Sequence, residues 1–428
     1  MLSLRHFAQK LIPDVTDVSL NESASSIDVP SPVSLRYMLE GKLFCELTLE
    51  SLKCLKTESS LGPDHCRLEV FTDDNLEMSL RRNLNDQEAW TIDGSYLFTE
   101  RVKIKLWDED SVDLDDRLGT VFIKAKPCQK CTISFTGDDA DYRLYYEVAY
   151  RLFPDSFDPV LSEISSFEAS TSPGVWPYVA KSDLIKDIKE TVADPLNVNQ
   201  NKTPLCGPTA IVYELVARDA GYGMRPQKKR YVQLCRQLWE TGHMNARSID
   251  IEPSDDLRNS PHSEADAISV ADSMLIAALR DAENALVDIE GDERSSEGDV
   301  SRLEGYSFPG AMKTWTFEIL GFDETDLELC WSSGEIDTML KADKTWSKGG
   351  VAFLNIDSNL LNGKPAGEGN FLGVHMPDHW VAFHGGLALD LTTGEIYFEC
   401  YSWGRIYPIL MKQEQFSEYL YDVVLGER

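Results

Sequence analysis

The chain has 428 residues and a formal net charge of −31, from 72 acidic against 41 basic side chains. At roughly 150 residues per domain there is room for two or three domains, and a polyanion of this strength repels DNA and RNA, which excludes nucleic acid as a partner. No run of about 18 apolar residues occurs, so no transmembrane helix is expected, and nine cysteines, an odd number, do not make a disulfide scaffold.

The N-terminus, MLSLRHFAQKLIPDVTD, places charged residues inside its apolar pattern and lacks the continuous apolar stretch of a secretory signal. The expectation is cytoplasmic synthesis, with any export following a route without a cleaved signal. Residues 1–32 read as a tail. From 33 to 155 the pattern is β. LFCELTLESLKCL, CRLEVFT, RVKIKLWDED, LGTVFIKA, CTISF and YRLYYEVAYRLF are short, alternating or rich in β-branched and aromatic residues, and polar turns separate them. Regular strands without helical periodicity predict an all-β sandwich. Cys128 and Cys131 resemble half of a zinc knuckle, but no second pair follows at suitable spacing, so they read as ordinary thiols.

Two loops of this segment concentrate acids. Glu58 and Asp64 are six residues apart, and Asp108, Asp110 and Asp116 follow a D-x-D-x5-D spacing. Carboxylates gathered at one end of a sandwich repel each other unless a hard cation joins them, and calcium accepts six to eight oxygens from flexible loops. This pattern resembles the C2 domain, with the Leu118-Gly119 step after the last Asp also fitting, and with Glu58 standing where that family has Asp. The resemblance implies calcium held by Glu58, Asp64, Asp108, Asp110 and Asp116. It also implies docking to phospholipid membrane or to protein.

Residues 156–180 read as a linker. The period then changes. Ser182-Asp183 can cap a helix through Val192, and Thr209–Ala220, Arg230–Trp239 and Asp272–Leu286 also look helical. Residues 250–266 and 289–302 are acidic and Ser-rich, hence surface loops. From Gly349 the pattern returns to strands: GGVAFLNID, HWVAFHGG, LALDL, EIYFECYSW and RIYPILM. Helices followed by strands predict an α+β domain over 181–428.

Within it, Cys206 sits where a helix should begin, followed by Gly207 and by Pro208 in the first turn, where a missing N–H costs nothing. A helix N-terminus favours a thiolate. Gln200, six residues upstream, can donate its amide to an oxyanion beside the Cys206 N–H. A base must be a histidine distant in sequence. His379 opens an apolar strand beside Trp380, with His375 and His384 as rivals. Alternation puts His379, Val381 and Phe383 on one face, and Trp380, Ala382 and His384 on the other. An acceptor must orient the base. Asp390, flanked by Leu389 and Leu391, is the first choice, ahead of Asn355 and Asp378. Tyr401-Ser-Trp403-Gly either walls the site or packs the core.

The order Gln200, Cys206, His379, Asp390 and the Q-x5-C-G-P-T run resemble the papain-like cysteine peptidases, in particular the group that clips leader peptides during bacteriocin export. The resemblance covers about residues 181–428, with 240–345 as an insertion. It implies a cysteine hydrolase that attacks an amide or related acyl group of a protein or peptide substrate, with no cofactor for catalysis. A secreted bacterial effector or toxin is one setting for such an enzyme. The same residues would serve a deamidase or a transglutaminase. The alternative is a calcium-dependent binding or scaffold protein whose papain-like domain is inactive.

Overall fold

The computed structural model describes residues 41–58, 62–109, 116–137, 139–154, 156–201, 203–217, 227–261, 268–287, 307–330, 335–367 and 377–427. The 1–32 tail lies outside them. The chain divides into two compact units, Met1–Cys66 with Arg82–Asp158, and Arg67–Arg81 with Pro159–Arg428.

The N-terminal strands are β1 Gly41–Lys56, β2 Asp64–Thr72, β3 Asn75–Leu84, β4 Ala89–Phe98, β5 Arg101–Asp108, β6 Asp116–Lys124, β7 Cys128–Phe135 and β8 Asp141–Pro154. They form two four-stranded sheets, ordered β4-β1-β8-β7 and β3-β2-β5-β6, which is the expected all-β sandwich. In β1 the buried residues Cys45, Leu47 and Leu49 follow odd positions, and Leu52 and Cys54 follow even ones. A bulge between Leu49 and Ser51 inserts the extra residue that keeps both sets facing inward. Two strands escaped the sequence reading. β3 is half-exposed along most of its length and carries Arg81 and Arg82, and β4 interrupts its alternation with Asp93-Gly94. Cys128 and Cys131 are joined as a disulfide, which corrects their reading as separate thiols.

The C-terminal helices are α1 Pro159–Ala169, α2 Lys181–Ala193, α3 Cys206–Ala217, α4 Lys228–Thr241, α5 Asp255–Arg258, α6 Val270–Val287, α7 Pro309–Glu318, α8 Glu335–Ser347, α9 Asn359–Asn362 and α10 Gln413–Phe416. The strands are β9 Met244–Asn245, β10 Asp250–Ile251, β11 Glu324–Leu329, β12 Val351–Ile356, β13 His379–Asp390, β14 Glu395–Ser402, β15 Arg405–Lys412 and β16 Leu420–Glu427. One six-stranded sheet, ordered β11-β16-β12-β13-β14-β15 and antiparallel at every step, carries the unit. The α+β expectation holds.

Alternation on this sheet makes two cores. Phe353, Trp380, Ala382, Tyr401 and Val424 pack with α2, α3, α4, α6 and α7. Leu354, Val381, Phe383, Phe398 and Val423 pack on the other face with Met339 and Ala342 of α8. α3 is enclosed on all sides, with all its residues but Ala217 buried, Thr209 and Glu214 among them. Two boundaries change. The linker contains α1, whose Ile164 and Phe167 bury into the first core. The 240–345 stretch is no appendage, since Met274, Leu275, Met312 and Trp315 belong to the core that holds Cys206.

Candidate functional site

The approach to Cys206 is a tight loop. Asp194 caps the short turn Pro195–Asn197 by accepting from the Leu196 N–H at 3.0 Å. The Gln200 carbonyl then accepts from the Thr203 N–H at 3.1 Å and its hydroxyl at 2.7 Å. The Gln200 side chain donates to the Thr203 carbonyl at 2.8 Å. One of its two amide protons is therefore engaged in closing the loop. α3 starts at Cys206 as expected. Gly207 is required there, because a Cβ would lie 2.6 Å from Ser307 Oγ and 2.9 Å from Met312 Sδ.

Burial pushes the Cys206 thiol up to about 11, although the backbone N–H groups of Trp380, Gly207 and Cys206 itself favour the thiolate. The Asp378 carboxylate acts in the same direction as burial. The helix N-terminus thus delivers its donors without making a resting thiolate at neutral pH.

His379 is buried at the first position of β13. Its Nε2 lies 2.6 Å from Ser402 Oγ, and its ring stacks on Trp403 with centroids 4.5 Å apart and planes at 25°. Trp403 and Gly404 make the left-handed turn between β14 and β15, with φ of 45° and 71°. Burial pushes the imidazole down to about 3, so it is neutral at pH 7. No hydrogen bond joins His379 to Cys206, and Nδ1 has no hydrogen-bond partner among the described residues. The link between them is Trp380, the residue after His379, whose backbone N–H favours the Cys206 thiolate.

Asp390 is not the orienting acceptor. It lies eleven residues along β13, on the order of 35 Å away at about 3.3 Å per residue. There it is exposed and accepts from the N–H groups of Thr392 at 2.8 Å and Thr393 at 3.1 Å, closing the turn into β14. These bonds, from Thr393 first, hold its carboxyl below the usual carboxylate range. The rivals are engaged elsewhere. Asn355 donates to Asp422 at 2.9 Å, and Asp378 accepts from the Ser358 N–H and hydroxyl at 2.7 and 2.8 Å. His384 meets the Tyr213 hydroxyl at 3.3 Å, two turns along α3 from Cys206, and His375 lies outside the described residues. Ser402 is the partner that sequence reasoning missed. The signal was its place immediately before Trp403, in a segment weighed only for its aromatics.

The second candidate is the acidic end of the sandwich. Asp64 opens β2 and Asp108 closes β5, both buried. Asp108 Oδ1 accepts from the His65 N–H at 2.6 Å, and Asp116 is the β6 residue opposite Asp108. Asp64 Oδ2 accepts from the Tyr142 hydroxyl at 2.6 Å and the Glu58 N–H at 3.1 Å. Asp64 Oδ1 is buried with no hydrogen-bond partner among the described residues. Asp64 and Asp108 therefore hold buried carboxylates at one end, where backbone register places Asp116 and a backbone N–H places Glu58, and Asp110 lies outside the described residues. Burial, with the charges of Asp64 and Asp108 adding to it, pushes the neighbouring Cys66 thiol up to about 12. Among the described side chains no three acids, histidines or cysteines already form a metal cage. An unpartnered buried carboxylate oxygen is the donor that a hard cation takes, so the residues present fit calcium.

No protein-family profile and no curated protein matches the sequence. Among solved structures, a C2 domain is 18% identical over 26% of this chain and 98% of its own, with a TM-score of 0.21. A C2 domain of plant extended synaptotagmin 1 is 12% identical over 27% of this chain and 98% of its own, with a TM-score of 0.22. The paired C2 domains of extended synaptotagmin 2 are 13% identical over 37% of this chain and 54% of their own, with a TM-score of 0.21. Among the described residues no helix is long and apolar enough to cross a membrane.

Proposed function

We propose that the C-terminal unit is a papain-like cysteine hydrolase with Cys206 as nucleophile, His379 as base, and Ser402 and Trp403 as the residues that position the base. The observation carrying this reading is the start of α3 at a buried Cys206 whose thiolate the Trp380 N–H favours, one residue from an imidazole whose Nε2 lies 2.6 Å from Ser402 Oγ and whose Nδ1 is uncommitted among the described residues. In the reaction Nδ1 takes the S–H proton while sulfur adds to an amide carbonyl. The oxyanion is met by the Cys206 N–H and the second amide proton of Gln200. Collapse expels the amine, which leaves with the proton from Nδ1, and water then cleaves the thioester. A thiol near 11 and an imidazole near 3 are both neutral at rest, so proton transfer accompanies attack and does not precede it. Peptide hydrolysis is the primary reading. Deamidation and transglutamination share the acyl-enzyme. The test is iodoacetamide labelling read by mass spectrometry. Cys206 should react ahead of the other buried free thiols, and His379→Ala should abolish that lead; equal slow labelling of every cysteine would end this reading.

A second reading rests on Asp64. The sandwich is C2-like in its two four-stranded sheets and its acidic end, and that end binds calcium through Asp64, Asp108, Asp116 and Glu58. A chain of charge −31 is repelled by anionic phospholipid, and a bound cation at this end reverses the local sign. Calcium is therefore the trigger for docking on such a membrane. Millimolar calcium should raise the melting temperature and bring the protein down with phosphatidylserine vesicles. An unchanged melting curve would remove the ion, and melting stabilisation without sedimentation would remove the membrane.

A further inference from the structure

The two carboxylate oxygens of Asp64 are used differently. Oδ2 accepts two donors, the Tyr142 hydroxyl at 2.6 Å and the Glu58 N–H at 3.1 Å. Oδ1 is buried with no hydrogen-bond partner among the described residues. A buried carboxylate oxygen left bare carries the cost of its desolvation, so buried carboxylates are ordinarily satisfied at both oxygens. The uneven sharing marks Oδ1 as the oxygen kept for a further partner.

Tyr142 reaches Asp64 from the opposite sheet. It lies on β8, where register sets it against Cys54 of β1 and Phe135 of β7. Asp64 opens β2 of the other sheet. The bond between them therefore crosses the sandwich at its acidic end, and both residues are buried. Its hydrogens can be placed. A phenol has a single O–H, and the carboxylate at 2.6 Å takes it. Cys66 Sγ, 3.3 Å from the same oxygen, is then the donor to it. A thiol and a phenol both keep their protons at neutral pH. The order is Cys66 S–H to the Tyr142 oxygen, and Tyr142 O–H to Asp64 Oδ2. Cys66 follows Asp64 by two residues on β2, hence on the same face, so one strand grips the phenol at two points.

We propose that Tyr142 is the positioning residue of the calcium site: it commits Asp64 Oδ2 and so presents Oδ1 as a single fixed donor to the ion. This role rests on the calcium reading of the acidic end. A carboxylate already fixed loses little freedom when the ion binds, whereas one released from Tyr142 has to be ordered by the ion itself. The test is isothermal titration of the full chain with calcium chloride, beside melting curves recorded without the ion. Tyr142→Phe keeps the ring and removes the hydroxyl. It should weaken calcium binding by roughly 10–100-fold, the usual loss when the partner of a metal-binding side chain is removed. Its melting temperature without calcium reports any purely structural loss separately. Cys66→Ala removes only the outer donor and should weaken calcium by a smaller factor, while Cys66→Ser, which again offers a donor, should restore it. Unchanged or tighter binding by a folded Tyr142→Phe would overturn the role, the tighter case meaning that a released Oδ2 adds a second bond to the ion. Were Tyr142→Phe unable to fold, equal affinities in Cys66→Ala and Cys66→Ser would overturn it. No binding of calcium to the wild type would instead overturn the calcium reading, and the positioning role with it.

Discussion

Lowering the pH should destabilise the C-terminal unit through His379. Its imidazole titrates near 3 when folded, because it is buried, and near 6.5 when unfolded. The folded value is depressed, so below pH 6.5 the unfolded chain takes up a proton that the folded chain does not, and stability falls as pH falls. At pH 5 the loss is RT ln(1 + 10^1.5), about 2 kcal/mol, and by pH 4 it is about 3 kcal/mol. Above pH 7 it vanishes. The perturbation that isolates this effect is His379→Gln, which keeps a polar group for Ser402 and removes the titration. The assay is urea unfolding of both proteins from pH 4 to 8, followed by Trp fluorescence. Other titrating groups cancel in the difference between the two curves. The wild type should lose about 2 kcal/mol relative to the variant between pH 8 and pH 5. Parallel curves would show that His379 is protonated in the folded state, and the neutral resting pair would then be wrong.

Asp272 has the opposite sign. Burial raises it to about 7 against the bonds from Ser269, Asn199 and Tyr231, so its favourable contribution, complete below pH 3.8, disappears as pH rises through 7. Asp272→Asn should therefore gain about 2–4 kcal/mol on the wild type between pH 4 and pH 8, measured by the same unfolding series; a pH-independent offset would refute the assignment. Gly207→Ala should cost about 1–3 kcal/mol by forcing Ser307 and Met312 aside, and an unchanged urea midpoint would contradict the close approach. Ser402→Ala should change the pH profile of Cys206 alkylation while Asp390→Asn leaves it alone. The reverse pattern would restore Asp390 as the orienting acid.

How much of the site could be read from residues alone depended on range. The α3 start at Cys206 was legible because Gly207 and Pro208 are local signals for a first turn. The faces of β13 were legible because strand alternation has a fixed period, and the two cores divide Val381 and Phe383 from Trp380 and Ala382 as that period requires. Asp390 misled because proximity in sequence within one long strand is distance in space. Ser402 was hidden because a serine one strand away carries no pattern of its own; only the pairing of β13 with β14 brings it to the ring. At the sandwich, Asp64 and Asp108 were legible as a pair because acids at strand ends repel, whereas β3 and β4 lacked a clear apolar face.

The alignment of β13 has a consequence for quality control. Cys206 finds Trp380, and Ser402 finds His379, only while β13 lies in one alignment between β12 and β14. A slip by a single residue would bring an indole to the serine and take the Trp380 backbone away from Cys206. Such a molecule could keep much of its secondary structure while its thiol stood without a held base. Labelling of Cys206 would therefore count correctly aligned molecules in a preparation, something that circular dichroism cannot do.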